Sequence, residues 1–140
     1  MLCDRHGHPL HFHLSAGQTH ESQVLVELLE GAEVVDHDDL PLAFPLQLAG
    51  DKGYRADWID DYLLEQGIQP VIPSKCNQDR EARGVEFDAT AYRERNIIER
   101  LVGWLKESRR ILTRFEKTAK NFAGMIKLAF IHRYLRLMCS

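Results

Sequence analysis

A strand, a helix and a second strand follow one another in the middle of the sequence, and this order restricts the fold more than any other feature. PLQLAGD at 45–51 is a short apolar run that stops at Asp51, as a buried strand would. RADWIDDYLLEQG at 55–67 has helical periodicity and closes on Gly67, and IQPVIP at 68–73 predicts the second strand. Two such strands joined by a helix are expected to lie parallel, with Asp51 at the end of the first.

The first fourteen residues predict a β-hairpin. Gly7 can take positive φ at the turn, and the flanking residues alternate between apolar and polar, which would place His11 and His13 on one strand face. Asp4, beside the turn, is expected to stabilise it through side-chain hydrogen bonds to the backbone. His6, His8, His11 and His13 could hold a transition metal, but no Cys or carboxylate completes a metal-site spacing, so solvated histidines are the expected state and their role stays open.

Helical patterns occupy much of the remaining sequence. THESQVLVELLEG at 19–31 predicts a short helix capped by Thr19 and ended by Gly31. Two long helices are predicted at the C-terminal end, from about Ala89 to Leu112 and from about Thr118 to Met138. Their inward-facing residues would be Ile97, Leu101, Leu105 and Leu112 in the first helix and Phe122, Ile126, Ala129, Phe130 and Leu137 in the second. Residues 74–91 are polar, lack periodicity and predict an exposed loop.

Length and composition indicate a single domain over residues 1–140. With 140 residues and 44% hydrophobic composition, the chain can build one core. It has neither an uninterrupted apolar stretch of about 18 residues, as a membrane span needs, nor a signal peptide. Cys3, Cys76 and Cys139 are far apart and show no CxxC spacing, which argues against disulfides and zinc. We therefore expect a soluble cytoplasmic protein without membrane contact.

Charge is distributed unevenly along the chain. Residues 1–91 hold 6 Lys/Arg and 17 Asp/Glu, a net charge of −11, whereas residues 92–140 hold 12 and 4, a net charge of +8. A basic C-terminal surface of this kind favours a polyanion partner, although two solvated basic helix faces would give the same count.

Four polar residues of the long predicted helix share one of its faces. Tyr92, Arg95, Glu99 and Lys106 fall within an arc of roughly 60° at about 100° per residue. Glu99 lies near the border with the apolar face, where its carboxylate could reach Asp51. Two carboxylates brought together are hard oxygen ligands suited to Mg²⁺, although such a row is more often a solvated, salt-bridged helix surface.

These residues resemble a known family. The spacing of Tyr92, Arg95, Glu99 and Lys106 is similar to the Tyr-Arg-Glu-Lys signature of bacterial insertion-sequence DDE transposases. AGDKGYR at 49–55 resembles the family's second-Asp motif, AGQTHES at 16–22 resembles a block that precedes it, and TRFEKTAKNFAG at 113–124 resembles the segment after the catalytic helix. The resemblance covers nearly the whole chain, in the family's order.

The resemblance implies an α/β, RNase H-like fold, incomplete at the N-terminus, with a short mixed sheet packed by helices. It implies metal-dependent cleavage and strand transfer at insertion-sequence ends, with Asp51 and Glu99 as catalytic ligands of Mg²⁺ or Mn²⁺. Double-stranded DNA at transposon ends would be the partner. Tyr92, Arg95 and Lys106 would contact or orient that DNA, and Arg109, Arg110 and Arg114 would bind its phosphates.

The family's first catalytic Asp has no counterpart in this chain, because in relatives it lies on the strand before the hairpin. We therefore expect an N-terminally truncated catalytic portion that is inactive alone and works as part of a longer or two-part transposase, with an upstream segment and a homo-oligomer as further partners. The alternative is a non-catalytic DNA-binding or oligomerising remnant or regulator. A stand-alone nuclease with two carboxylates is the third hypothesis. Asp4 is not expected to replace the absent Asp.

Overall fold

The computed structural model describes residues 1–36, 38–79 and 81–140. The chain divides into two compact units, the N-terminal fourteen residues with Asn96–Ser140, and the continuous stretch Ser15–Arg95. We call them the terminal unit and the central unit. The expectation of a single domain over residues 1–140 stays a prediction. No helix within the described residues combines the length and the apolar content that a membrane crossing requires.

The chain begins with two short strands, continues with short helices and two further strands, and ends with four consecutive α-helices. The strands are β1 (Leu2–Cys3), β2 (Pro9–His11), β3 (Gln47–Ala49) and β4 (Gln69–Val71). The α-helices are α1 (Leu25–Glu30), α2 (Asp57–Glu65), α3 (Ala89–Glu94), α4 (Asn96–Lys106), α5 (Arg109–Leu112) and α6 (Ala119–Met138). Two 3-10 helices, Glu21–Val24 and Lys52–Tyr54, precede α1 and α2 respectively.

The predicted strand–helix–strand unit is confirmed in the central unit. β3 pairs parallel to β4, with Gln47 opposite Gln69 and Ala49 opposite Val71, and α2 connects them. Ile59 and Leu63, one turn apart on α2, are fully buried, as the helical periodicity requires. Gly67 ends the connection with φ 73°, a conformation that favours glycine. This arrangement places Asp51 just beyond the carboxyl end of β3.

A buried ion network ties the segment after β4 to α2. The Arg83 guanidinium donates from Nε and Nη2 to the two oxygens of Asp60 at 2.7 and 2.8 Å, and from Nη1 to the Ile72 carbonyl at 2.6 Å. Arg55 Nη1 lies 3.2 Å from Asp60 Oδ2. Arg55 and Asp60 are 4% and 5% exposed. One buried carboxylate is therefore shared by two guanidinium groups, and Arg55 Nη2 also pairs with the exposed Asp57 at 2.6 Å. Arg83 anchors the stretch predicted as the loop 74–91, in which Arg80 lies outside the described residues.

The predicted hairpin is confirmed in the terminal unit. β1 and β2 pair antiparallel, and Gly7 has φ 81° in the turn. Asp4 has the predicted turn-stabilising role, since its Oδ1 accepts hydrogen bonds from the backbone N–H groups of His6 and His8 at 2.8 and 2.9 Å. β2 ends at His11, so the prediction that His13 shares its strand face is wrong.

We expect Asp4→Ala to lower the free energy of unfolding by about 1 kcal/mol at pH 7, because several hydrogen bonds to a carboxylate are lost. Burial raises the pKa of Asp4, but the hydrogen bonds from His8 and His6 lower it more, so the pKa lies below its ordinary value. A depressed pKa stabilises the fold above the unfolded-state pKa, and this stability is lost as pH falls through the folded-state pKa. Urea unfolding at pH 7 and about pH 3 should therefore show the deficit shrinking in acid. Equal deficits at both pH values would contradict this account.

The core of the terminal unit lies between the last three helices and the N-terminal segment. Leu105, Ile111 and Ile126 are its buried centre. The partly buried residues packed around them are Met1, Phe12, Trp104, Phe122, Met125, Ala129 and Phe130. Tyr134 of α6 donates a hydrogen bond to the Pro9 carbonyl at 2.7 Å, which holds β2 against this helix.

The predicted helix from Ala89 to Leu112 is wrong as a single element. Arg95 N–H bonds to the Tyr92 carbonyl three residues back at 3.1 Å, which tightens and ends α3. Ser108, with ψ 110°, separates α4 from α5. This extended residue shifts the helical phase, so Ile111 is buried at 6% exposure whereas the predicted core residue Leu112 is 58% exposed.

The second predicted C-terminal helix is confirmed as α6. The Thr118 hydroxyl accepts a hydrogen bond from the Asn121 N–H at 3.2 Å and caps it. Of its predicted inward residues, Leu137 is 47% exposed, so that assignment is wrong.

The helix predicted over residues 19–31 was expected to be capped by Thr19. Its cap is instead the His20 ring, which accepts a hydrogen bond from the Ser22 N–H.

The observed fold class is mixed α/β, as predicted. Within the described residues the strands form two separate two-stranded sheets, one antiparallel and one parallel, rather than the single short mixed sheet that was expected. The individual strands have only two or three residues each, and each sheet consists of one pair of strands.

Candidate active site

Asp51 occupies a turn at the end of β3. The strand stops at Ala49, and Asp51 Oδ1 accepts a hydrogen bond from the Gly53 N–H at 2.7 Å, which caps the 3-10 helix Lys52–Tyr54. The side chain is thus positioned by the backbone that follows it. One carboxylate oxygen performs this structural role, and Oδ2 is the second oxygen through which Asp51 could bind a ligand.

Glu21 lies close to this turn. A Cβ atom on Gly53 would be 2.9 Å from Asp51 Oδ1 and 3.3 Å from Glu21 Oε2, so both carboxylates border the same small space. Burial, and then the negative charges of Glu21 and Asp51, raise the pKa of Tyr54 to about 12. Tyr54 therefore keeps its proton at neutral pH. Glu21 was not among the predicted site residues, although AGQTHES at 16–22, the block that is similar to a family segment, contains it.

Tyr92 and Arg95 lie at the end of α3 in the central unit. The Arg95 guanidinium carbon is 5.4 Å from the centre of the Tyr92 ring, a cation–π distance, and Tyr92 also packs against Phe87. Asp88 caps α3 by accepting from the Thr90 and Ala91 N–H groups, and these bonds lower its pKa. Tyr92 and Arg95 are two of the four residues that were predicted to share one helix face, and these two contact each other.

Glu99 and Lys106 lie on α4 in the terminal unit, in its first and last turns. Their separation of seven residues puts both on one face of α4, and both are exposed. The prediction that one continuous helix carries all four signature residues is wrong, because α3 ends at Glu94 and α4 begins at Asn96. Asp51 and Glu99 belong to different units, the central and the terminal one.

Three arginines follow on or after α5. Arg109, Arg110 and Arg114 are exposed. Arg110 forms an ion pair with Glu116 at 2.7 Å and its guanidinium lies 5.1 Å from the centre of the Phe115 ring. Arg114 has φ 47°, a left-handed conformation that a long side chain adopts at a cost. These residues present positive charge around a short, irregular segment.

The carboxylate oxygens of the predicted site suit a hard divalent cation, but the described residues provide too few ligands to hold one. Carboxylate oxygens such as those of Asp51 and Glu99 are the ligands that Mg²⁺ and Mn²⁺ prefer. Among the residues that the structure describes, no group of three His, Cys, Asp or Glu side chains is arranged to hold a metal ion. The hairpin histidines form no such group either, and His8 Nδ1 instead lies 2.8 Å from Asp4 Oδ2, within hydrogen-bond distance.

Comparison with known proteins gives two matches. The family described as "Transposase DDE domain" matches residues 48–136, well over half of the chain and a stretch that includes Asp51 and Glu99. The chain is also 26% identical over 132 residues to the transposase assigned to insertion sequence element IS402 of Burkholderia cepacia. That alignment covers 91% of this chain and 57% of the relative. No solved structure matches the chain.

Proposed function

The chain belongs to the DDE transposase family, and from this membership we propose that it acts in DNA transposition as the portion of a longer or two-part transposase that carries Asp51 and Glu99. The observation that carries the proposal is the family match over residues 48–136, which contains both carboxylates and the Tyr92, Arg95 and Lys106 positions. The chain spans 57% of the length of the relative. The remaining length would supply the further ligand that the described residues do not provide.

In this proposal Asp51 and Glu99 would supply carboxylate ligands to Mg²⁺ or Mn²⁺. Such ions activate an attacking oxygen and stabilise a leaving oxygen in phosphoryl transfer on DNA. Asp51 is suited to binding because Gly53 orients one of its oxygens, which restricts the rotation of the carboxylate. The reaction would be cleavage by water, followed by strand transfer through a 3′ hydroxyl group.

An RNase H-like arrangement of the complete protein is part of the proposal. Support comes from the parallel pair of β3 and β4 joined by α2, with a candidate ligand directly after β3. In parallel α/β sheets, functional side chains commonly lie beyond the carboxyl ends of strands. An RNase H-like arrangement would require further strands, outside this chain, beside the pair of β3 and β4.

We propose that the exposed basic residues contact the DNA backbone. Lys106, Arg109 and Arg114 are exposed in the half of the chain that carries a net charge of +8. The strained backbone of Arg114 supports a functional reason for keeping a long cationic side chain where glycine would be favoured. Tyr92 and Arg95 would contact or orient the transposon-end DNA.

Replacing Arg109 and Arg114 with Gln should weaken binding to a mixed-sequence DNA duplex. Each lost phosphate contact lowers the slope of log affinity against log salt by roughly 0.9, so the double variant should lose about 2 in this slope. Fluorescence anisotropy across a salt series measures it. Arg5→Gln/Lys75→Gln removes the same charge from the N-terminal part of the sequence and should leave the slope unchanged. Equal losses in both variants would argue for a general charge effect.

A cleavage assay tests the proposed reaction. The chain, alone and joined to the upstream segment of its gene, is incubated with duplexes carrying the terminal sequences of its element, with Mg²⁺, Mn²⁺ or EDTA. We expect metal-dependent cleavage only when the upstream segment is present. Binding without cleavage in every condition would favour the non-catalytic regulator, and robust cleavage by the chain alone would favour the stand-alone nuclease.

A further inference from the structure

Glu21 brings a second carboxylate to the turn that contains Asp51. Glu21 begins the 3-10 helix Glu21–Val24, and this helix packs against the 3-10 helix Lys52–Tyr54, which Asp51 caps. Both segments belong to the central unit. The Glu21 side chain is exposed, whereas Asp51 is half-buried. Two segments that are far apart in the sequence therefore place their carboxylates beside each other.

Gly53 leaves an open space between these two carboxylates. A Cβ atom at this position would lie 2.9 Å from Asp51 Oδ1 and 3.3 Å from Glu21 Oε2, so the two oxygens are no farther apart than the sum of these distances. Two oxygens bound to one Mg²⁺ or Mn²⁺ lie about 3–4 Å apart, since each bond is about 2.1 Å long. Rotation of the exposed Glu21 side chain can bring its carboxylate to that separation. The φ angle of Gly53 is not in the left-handed region, so its backbone conformation does not require glycine, and the missing side chain keeps the space open.

The charges of Glu21 and Asp51 face each other without a cation. Among the residues that the structure describes, the ion pairs include neither of these carboxylates. Both charges act on Tyr54, whose raised pKa keeps its hydroxyl group protonated and uncharged. Two neighbouring carboxylates repel each other, and a divalent cation between them removes that repulsion.

We propose that Glu21 is a further carboxylate ligand of the divalent metal ion that Asp51 binds. This inference rests on the proposed function, because membership of the DDE transposase family is what implies the ion. Glu21 lies outside residues 48–136, the stretch that matches the family, so the match itself gives Glu21 no role. Glu21 adds to Asp51 and Glu99 and does not replace the family's first Asp. Because this chain supplies only part of the ligand set, its own affinity for the ion is low, and the test needs a method that registers weak binding.

Paramagnetic Mn²⁺ tests the proposal by NMR on the whole chain. Bound Mn²⁺ broadens the backbone amide signals around it, so the Tyr54 signal should broaden at millimolar Mn²⁺. Glu21→Gln and Asp51→Asn should each raise the Mn²⁺ concentration needed for the same broadening by roughly 10-fold or more, because even indirect partners of a metal site contribute about 10–100-fold to affinity. Glu27→Gln is the matched control, since it removes the same charge from an exposed position on α1, and it should behave like the parent chain. The remaining amide signals verify that each variant is folded.

Gly53→Ala separates the geometry of the site from its charge. The added methyl group would fill the space between the two carboxylates and should also raise the Mn²⁺ concentration needed to broaden the Tyr54 signal, although the net charge is unchanged. Gly17→Ala is the control for this variant, because a Cβ atom there meets nothing within 4 Å.

The outcomes distinguish this inference from the proposed function. If only one of Glu21→Gln and Asp51→Asn weakens Mn²⁺ binding, the two carboxylates do not share an ion, and the assignment of Glu21 is overturned. Absence of broadening at Tyr54 in the parent chain, or equal broadening in every variant, would overturn it as well. None of these results depends on DNA cleavage. Failure of the proposed function would instead appear as the absence of metal-dependent cleavage by the transposase that contains the upstream segment.

Discussion

Asp60→Asn is expected to lower the free energy of unfolding by about 3–5 kcal/mol, because it removes a buried carboxylate that is shared by two buried guanidinium groups. Asp60 accepts two hydrogen bonds from Arg83 and faces Arg55 at 3.2 Å. Arg55 already has buried Nε and Nη1 atoms without hydrogen-bond partners. The variant would remove the carboxylate that lies between the two buried guanidinium groups, and of its two ion pairs Arg55 would keep the one with the exposed Asp57, at 2.6 Å.

Urea unfolding followed by circular dichroism measures this loss. Asp61→Asn is the matched control, because Asp61 is the next residue of α2 and is exposed. Its stability should change by less than about 0.5 kcal/mol. Limited proteolysis adds an independent readout, since release of Arg83 should make the segment between β4 and α3 more readily cleaved in Asp60→Asn. If Asp60→Asn loses no more stability than Asp61→Asn, the network does not stabilise the central unit.

Asp51→Asn and Glu99→Gln should each reduce DNA cleavage by roughly 1,000-fold in the transposase that contains the upstream segment, because each removes a negative ligand of the proposed metal site. Asn can still accept the Gly53 N–H bond through its amide oxygen, so the turn at Asp51 is retained. The loss would therefore reflect chemistry rather than folding.

Single-turnover cleavage and DNA binding are measured on the same preparations. Glu107→Gln, which changes an exposed carboxylate immediately after α4, serves as the control and should cleave like the parent enzyme. DNA affinity should stay within about threefold of the parent in all three variants, since these carboxylates are not phosphate-binding groups. Normal cleavage by Asp51→Asn or Glu99→Gln would remove that residue from the proposed site.

The parts of the fold that depend on nearby residues were predictable from sequence. The parallel pair around α2 follows from periodicity and length, and the hairpin follows from Gly7 and Asp4, whose conformation and hydrogen bonds are local. The end of α3 at Arg95 was not predictable in this way. No proline or glycine marks it, and the hydrogen bond from the Arg95 N–H to the Tyr92 carbonyl interrupts a stretch whose periodicity continues past it.

The same distinction between local and tertiary features applies to the candidate site. Asp51 was identified from its place after a strand and from the family motif around it. The proximity of Glu21 to Gly53 joins segments more than thirty residues apart, and the Arg83–Asp60 pair joins residues 23 positions apart. Such contacts arise from tertiary packing, which periodicity and local turn rules do not encode.

The hydrogen bond from Tyr134 to Pro9 has a consequence for synthesis of the chain. It joins residues separated by 125 positions, and the terminal unit needs both segments. On the ribosome the hairpin emerges before the central unit but gains its partner helix only after α6 has been translated. The central unit is one continuous stretch and can fold while synthesis proceeds. The hairpin is therefore the segment that waits longest for its native contacts, and the one most dependent on complete translation of α6.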